Sequence, residues 1–190
     1  MLFVLGESAT GKDTLVKSLI KNYGFERIVT YTTRPMRPGE IQDVTYHYVS
    51  EEDFKDKRDK GFFLECREYS TVNGNWYYGS ALVDFIKYKH GKTVIILNPE
   101  GYLNLIHKIG KRKIDMAICL TASENIRRDR LDKRGDDINE VNRRIIADRE
   151  DFSERIMKQM DFIIPNEEEN KIDEIAKRIN EYYEQEEKGR

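Results

Sequence analysis

Short apolar runs alternate along the chain with longer stretches in which apolar residues recur at helical spacing. Residues 12–22 are typical, since Leu15, Val16, Leu19 and Ile20 fall on one face of a helix. The runs that predict strands are 2–5, 28–31, 92–97, 116–120 and 162–164. Further helices are predicted from Ser80 to about 90 and over 101–109. A helix from Ser123 ends at a break at 135–137, a second charged helix follows it to about 158, and a last helix lies at the carboxyl end. Such alternation predicts an α/β fold, a parallel sheet with helices on both faces.

The stretch 31–80 departs from that alternation. It contains Pro35, Pro38 and Gly39 in one loop, and its strands are short, aromatic and of the antiparallel type. We therefore predict a core domain of residues 1–30 and 81–190, with residues 31–80 inserted as a small mixed α/β lobe.

Composition narrows the function classes. Charged residues make up 36% of the chain but balance to a formal net charge of -2, which gives no indication of a nucleic-acid or membrane partner. The longest apolar runs are too short to span a bilayer, and no leader segment is predicted before the first strand. Cys66 and Cys119 lie in apolar stretches and are predicted to be buried free thiols. These features favour a cytoplasmic enzyme.

The first strand runs into a glycine-rich loop, GESATGKDT, and then into a helix. In that context successive backbone N–H groups and the helix amino terminus bind phosphate, and Lys12 reaches the β- and γ-phosphates. Asp13 stands where a hydroxyl is expected. Either it faces solvent or a water of Mg²⁺, leaving Thr14 to contact phosphate, or it ligates Mg²⁺ itself. The predicted ATP-binding residues of this loop are Gly6, Ser8, Ala9, Thr10, Gly11, Lys12, Asp13 and Thr14.

A second group of residues predicts a site for a phosphate monoester acceptor. Arg34 and Arg37 lie three apart on the proline-stiffened loop, and a planar guanidinium pairs well with phosphate oxygens. Tyr46 and Tyr78 add hydroxyl donors. Glu65 follows large apolar residues, where a carboxylate can accept from the N1–H and 2-amino groups of guanine. Ser80, in YYGS, adds a further contact to base or phosphate.

These segments together resemble the guanylate kinase family. The resemblance extends over nearly the whole chain in order, through GESATGKDT, TYTTRPMRPGE, TYHYVS, GFFLE, WYYGS, RLDKRGDD and DFIIPN. It implies a P-loop NTPase-type core, a GMP-binding lobe and a helical lid at about 127–149. It also implies a set of GMP-binding residues: Thr30, Arg34, Arg37, Tyr46, Glu65, Tyr78, Ser80 and Asn98. Asn166 would lie near the adenine, and Arg134 and Arg144 would bind the transferring phosphate.

The leading hypothesis is transfer of the γ-phosphoryl group of ATP to GMP, with Mg²⁺ as cofactor and Lys12, Arg37, Arg134 and Arg144 as catalytic residues. Asn98 stands where the family typically has an aspartate, as Asp13 stands in place of a hydroxyl. Two alternatives stay open. One is a related kinase acting on another phosphate ester, such as ribose 1,5-bisphosphate or a different nucleotide. The other is a kinase-like binding module without turnover. As to assembly, a monomer or a homodimer is expected.

Overall fold

Two sheets organise the chain, one in each of two units. The computed structural model describes residues 1–87, 92–110, 116–168 and 171–188. The larger unit consists of Met1–Arg27, Gly91–Pro99 and Arg112–Arg190, and the smaller one of Ile28–His90 and Glu100–Lys111.

The larger unit is built on a five-stranded parallel sheet with the strand order β2-β7-β1-β8-β9. Its strands are β1 (Leu2–Gly6), β2 (Glu26–Arg27), β7 (Thr93–Ile96), β8 (Met116–Thr121) and β9 (Phe162–Pro165). Strand β1 lies in the middle, and its residues from Leu2 to Leu5 are at most 1% exposed. An uninterrupted apolar run is what a parallel strand covered on both faces requires.

Five α-helices lie in the described part of this unit. They are α1 (Lys12–Tyr23), α5 (Glu124–Lys133), α6 (Ile138–Asp151), α7 (Glu154–Met157) and α8 (Ile172–Lys188). The main core joins Leu15 and Leu19 of α1 to Ala176 and Ile179 of α8 over the apolar strands. Helix α1 ends at Gly24, whose φ of 69° places it in the left-handed conformation that a glycine adopts without strain.

The smaller unit has a four-stranded mixed sheet with the order β4-β3-β6-β5. Its elements are β3 (Tyr31–Thr32), β4 (His47–Tyr48), α2 (Glu51–Asp59), β5 (Phe63–Thr71), β6 (Gly74–Ala81), α3 (Leu82–Lys87) and, from its second residue onward, α4 (Pro99–Ile109). The rings of Phe54 and Phe63 stack with their centroids 4.4 Å apart over this sheet. Gly79 faces both rings, and a Cβ there would lie 2.9 Å from Phe63, so this strand position requires a glycine.

The predicted fold class is confirmed, because helices flank a parallel sheet and a second, small mixed sheet is present. Among the described residues, no helix is long and apolar enough to cross a bilayer.

Three local predictions are wrong. The predicted strand 28–31 is absent: β2 ends at Arg27 and β3 begins at Tyr31, in the other sheet. Ser80 does not begin a helix, because β6 continues to Ala81 through the pairing of Ser80 with Glu65. The helix predicted to reach about 158 stops at Asp151, and α7 follows after Phe152 and Ser153. Residues 88–90 of the predicted helix lie outside the described residues.

Candidate functional site

The loop between β1 and α1 has the backbone conformation of a phosphate cradle. Gly11, which precedes α1, has a φ of 94°, and a Cβ there would lie 2.6 Å from Asn166 Nδ2. Asn166 is buried, and its Nδ2 donates to the Thr10 carbonyl at 2.8 Å. The structure thus brings together two predicted ATP-binding segments far apart in sequence, and it explains why position 11 must be a glycine.

Lys12 lies across the mouth of this loop. Its Nζ donates to the Gly6 carbonyl at 2.8 Å and to the Glu7 carbonyl at 2.7 Å. Burial lowers the pKa of the Lys12 amine, although nearby carboxylates oppose the shift. The amine is therefore held inside the loop, and its contact with the β- and γ-phosphates stays a prediction.

Three side chains that sequence reasoning did not select hold the loop in shape. Arg127, from α5, is 3% exposed, its Nη1 lies 2.6 Å from Glu7 Oε1, and its Nη2 pairs with Asp148 of α6. Its Nε also donates to the Ser8 carbonyl at 3.0 Å. Asp148 accepts from the Ser8 backbone N–H at 2.9 Å. A role for Ser8 in ATP binding stays a prediction, since its N–H is already engaged by this carboxylate.

Ala9 shows why the loop needs such support. It has a φ of 62°, a left-handed conformation that costs a non-glycine residue about 1–2 kcal/mol. Arg130 of α5 donates from Nη1 to the Ala9 carbonyl at 3.2 Å and from Nη2 to the Asn166 carbonyl at 3.0 Å. Strained backbone held by surrounding contacts is common at functional sites. The cluster of arginines after Ser123 is a sequence signal for such support. The sequence does not indicate which of these arginines face the loop.

Asp13 has a protein partner that neither sequence interpretation included. Its carboxylate lies 3.0 Å from Arg27 Nη1, at the end of β2. The Asp13 side chain is 47% exposed, whereas that of Arg27 is 8% exposed. Thr14, the next residue of α1, is exposed. The carboxylate is thus already balanced by a cation, which removes the electrostatic objection to an acid in this loop.

The two predicted lid arginines meet on one acid. Arg134 and Arg144 both donate to Asp136, and Arg144 also donates to Glu140. Although burial opposes ionisation, hydrogen bonds from Arg143 and Arg144 lower the pKa of Glu140.

In the smaller unit, Arg34 is held by Glu40, a residue of the quoted motif that was not assigned a role. Arg34 is 4% exposed; its Nη1 and Nη2 donate to the two Glu40 oxygens at 2.9 and 2.8 Å. Glu40 also accepts from the Arg37 backbone N–H at 2.7 Å and from the Tyr48 hydroxyl at 2.7 Å. Against the effect of burial, these hydrogen bonds lower the pKa of Glu40 to about 2.

This pairing leaves part of the Arg34 guanidinium available. Its Nη1 also donates to the Pro35 carbonyl at 2.8 Å. Its bonds to Glu40 and Pro35 use the end of the guanidinium, and Nε together with Nη2 forms the side-on edge that suits two phosphate oxygens. The rings of Tyr46 and Tyr48 lie 5.5 and 5.8 Å from the guanidinium carbon. The Tyr46 and Tyr78 rings are 6.1 Å apart, so the predicted phosphate ligands converge.

Glu65 and Ser80 face each other across β5 and β6. Glu65 is 7% exposed and Ser80 is 1% exposed, and the Ser80 hydroxyl donates to Glu65 Oε1. Burial raises the pKa of Glu65, while the Ser80 hydrogen bond acts in the opposite direction. The Ser80 hydroxyl engages Oε1, one of the two carboxylate oxygens that can accept hydrogen bonds.

Thr30 and Asn98 complete the predicted GMP-binding set. Thr30 is buried beside the sheet of the smaller unit, and its carbonyl accepts from the His47 N–H at 2.9 Å. Asn98 belongs to the larger unit and follows β7, at the carboxyl end of a strand that pairs with β1. Carboxyl ends of parallel strands are where ligands bind in such sheets.

Comparisons with known proteins identify the family of this chain. A family model described as guanylate kinase matches residues 1–186. The guanylate kinase of Sulfurimonas denitrificans is 33% identical over 183 residues, which cover 94% of this chain and 84% of that protein. The guanylate kinase of Helicobacter pylori 26695 is 33% identical over 182 residues, 92% of this chain and 83% of that protein.

A solved structure supports the fold independently. The crystal structure of guanylate kinase from Anaplasma phagocytophilum matches with a TM-score of 0.67 over 98% of this chain and 85% of that chain, at 24% identity. Nothing among these relatives favours a sugar-phosphate kinase or a silent module. The chain belongs to the guanylate kinase family.

Proposed function

We propose that this protein transfers the γ-phosphoryl group of ATP to GMP, giving ADP and GDP. The observation that carries the choice of acceptor is the buried Glu65 carboxylate beside the Ser80 hydroxyl. Guanine presents two adjacent N–H donors, N1–H and the 2-amino group, and a carboxylate can accept from both.

The same carboxylate disfavours adenine. Adenine presents an acceptor at N1 and lacks the 2-amino group, so AMP would leave buried Glu65 without a donor. Sites built to hydrogen-bond a substrate discriminate against analogues that lack the group by about 10⁴–10⁵. A base-free sugar phosphate offers Glu65 no donor at all. The site therefore supports GMP over ribose 1,5-bisphosphate as the acceptor.

On the donor side, the loop residues Gly6, Ala9, Thr10, Gly11, Lys12 and Thr14 would bind the ATP phosphates, with Asn166 near the adenine. A divalent metal, proposed here as Mg²⁺, fits the hydroxyl of Thr14, an exposed residue, as one ligand, because Mg²⁺ keeps several waters and takes its remaining oxygens from phosphate. Asp13 fits less well as a direct ligand, since Arg27 already engages it. When bound, the ion neutralises charge on the phosphate oxygens.

Catalysis in this proposal is positioning and charge neutralisation. Lys12, Arg37, Arg134 and Arg144 donate to phosphate oxygens, and Arg34, Tyr46 and Tyr78 orient the acceptor phosphate. No general base is needed, because the attacking phosphate oxygen is already ionised. A lid that covers the nucleotides also excludes water and limits ATP hydrolysis.

The proposal also covers the cellular location, the oligomeric state and the division of the chain into lobe and lid. We propose a cytoplasmic location, which the free thiols Cys66 and Cys119 support. A monomer or homodimer, a lid at 127–149 and a GMP-binding lobe at 31–80 also belong to the proposal.

A coupled ADP-release assay tests this function. The purified chain is given ATP and Mg²⁺ with GMP, dGMP, AMP, UMP or ribose 1,5-bisphosphate in turn. Turnover is expected with GMP, and loss of the buried amine in Lys12→Met should lower kcat at least about 100-fold. Turnover of the sugar but not of GMP would assign the chain to the alternative kinase. No turnover with any acceptor would indicate a binding module.

A further inference from the structure

Asp136 joins the two predicted lid arginines through a single carboxylate. Arg134 donates from Nε to Oδ1 at 2.8 Å and from Nη2 to Oδ2 at 2.5 Å. Arg144 donates from Nη1 to the same Oδ2 at 3.0 Å. One oxygen therefore receives hydrogen bonds from both guanidinium groups, which repel each other without an anion between them.

A second acid fixes the other edge of Arg144. Glu140 is 3% exposed and accepts from Arg144 Nε at 2.7 Å, one helical turn earlier on α6. Glu140 also accepts from Arg143 Nε and Nη2 at 2.9 and 2.8 Å. Arg144 is thus held at two points by α6 and its preceding turn. Among the described residues, the two side-chain hydrogen bonds of Arg134 both run to Asp136, so the position of its guanidinium depends on that acid.

Asp136 also lies at the joint between the two helices. Gly135, with a φ of 78°, follows Arg134, the C-cap of α5, and Asp137 caps α6 by accepting from the Asn139 and Glu140 N–H groups. The Asp136 side chain is only 10% exposed, unlike the Lys133–Asp129 pair on α5, whose side chains are 68% and 56% exposed. An exposed pair of that kind contributes little, whereas a shielded carboxylate with two guanidinium partners holds a defined geometry.

We propose that Asp136 is a positioning residue, which holds the Arg134 and Arg144 guanidinium groups side by side so that both act on one nucleotide phosphate. This inference rests on the proposed kinase function. Developing charge in phosphoryl transfer is spread over several oxygens, so two cations at fixed separation stabilise it better than two that move independently.

The test compares Asp136→Asn with Asp129→Asn, which is the same change in an exposed acid on the same helix pair. Asp136→Asn should lower kcat about tenfold or more, as small displacements of catalytic groups do. The KM for GMP should stay within about twofold, because the acceptor residues are untouched. Asp129→Asn should match the unchanged protein in both.

A double-mutant cycle separates positioning from a purely structural role. If Asp136 acts through Arg144, Arg144→Gln should cost kcat much less in the Asp136→Asn background than in the unchanged protein. Full additivity would overturn the proposal. So would unchanged or increased kcat in Asp136→Asn, an increase showing that the carboxylate competes with phosphate. Circular dichroism and the melting temperature show whether each variant folds, and Asp136→Glu should recover part of the activity.

Binding provides a measurement that does not need turnover. The affinity for a non-hydrolysable ATP analogue with Mg²⁺ should fall about threefold or more in Asp136→Asn and stay unchanged in Asp129→Asn. If the unchanged protein phosphorylates none of the acceptors, the kinase proposal fails, and this affinity still decides on Asp136. Equal affinity in the two variants would overturn the positioning role.

Discussion

The Asp13 carboxylate lies 3.0 Å from the Arg27 guanidinium, which links the start of α1 to the end of β2. This pair accounts for an acid in a loop that is predicted to bind anions. The Arg27 side chain is shielded and that of Asp13 is half-exposed. The carboxylate therefore already forms an ion pair within the protein and would have to give up this pair to bind a metal directly. It also ties the phosphate loop to the edge strand of the parallel sheet.

Asp13→Ser is expected to lower stability more than activity. Removing one partner of a half-shielded pair should reduce the free energy of unfolding by about 1–2 kcal/mol, between the values for exposed and buried pairs. The Mg²⁺ dependence of kcat should not change. Asp59→Ser, in the exposed Arg58–Asp59 pair, is the control and should have little effect on denaturant unfolding. A collapse of the Mg²⁺-dependent rate would instead make Asp13 a metal ligand.

Glu65→Gln is expected to impair GMP much more than ATP. The amide can accept only through its oxygen and presents N–H groups where guanine also presents donors. The KM for GMP should rise about 100-fold, because the variant loses buried hydrogen bonds between a charged group and the ligand. The KM for ATP should stay nearly constant. Glu68→Gln, an exposed acid on the same strand, should leave both constants unchanged. Equal losses for both substrates would show that Glu65 does not bind the base.

Glu65 also predicts a pH dependence of GMP affinity. Burial raises its pKa above the ordinary value of a glutamate, so the carboxylate takes up a proton earlier as the pH falls. The protonated group can no longer accept from both guanine donors. The KM for GMP should therefore rise on acidification before that for ATP does, and Glu65→Gln should remove this difference. A parallel rise in both constants would contradict the assignment.

Glu40 predicts a pH dependence of stability, from a pKa shift opposite in direction to that of Glu65. Its pKa is lowered to about 2 in the folded chain, from an ordinary value of 4.5, by hydrogen bonds from Arg34, Arg37 and Tyr48. A lowered carboxyl pKa stabilises the fold above the unfolded value, and that stabilisation is lost as the pH falls from about 4.5 towards about 2. Glu40→Gln should thus lower the free energy of unfolding at pH 7, and the gap to the unchanged protein should narrow near pH 3. A gap independent of pH would exclude this linkage.

Arg127→Met should be the most destabilising of these changes. It leaves the shielded carboxylates of Glu7 and Asp148 without their shared guanidinium, a loss of about 3–5 kcal/mol for a buried pair. Its neighbour Arg128 pairs with Glu124 on the half-exposed surface, so Arg128→Met should cost less than about 1 kcal/mol. Denaturant unfolding of both variants measures the contrast. Similar losses would show that Arg127 does not support the phosphate loop in this way.

Much of the fold could be predicted from local pattern. The parallel strands β1, β7 and β8 were found because burial on both faces leaves them continuously apolar, and α1 was found from its helical periodicity. The wrong secondary-structure predictions lie where the strand partner determines the structure. Residues 28–31 look like one strand, yet the chain there passes from one sheet to the other, and Ser80 stays in a strand because Glu65 lies opposite it.

The sequence by itself determined the family, the phosphate loop and the types of residue at both predicted sites, because the order and spacing of GESATGKDT, TTRPMRPGE and YYGS are properties of the chain. Only the tertiary structure decided which charges meet. Arg27 on Asp13, Glu40 on Arg34, Arg127 on Glu7 and Asp148, and Asp136 between two arginines all join groups whose separation in space does not follow from their spacing. The strength of an ion pair depends on distance and shielding, and both arise only when the chain has packed.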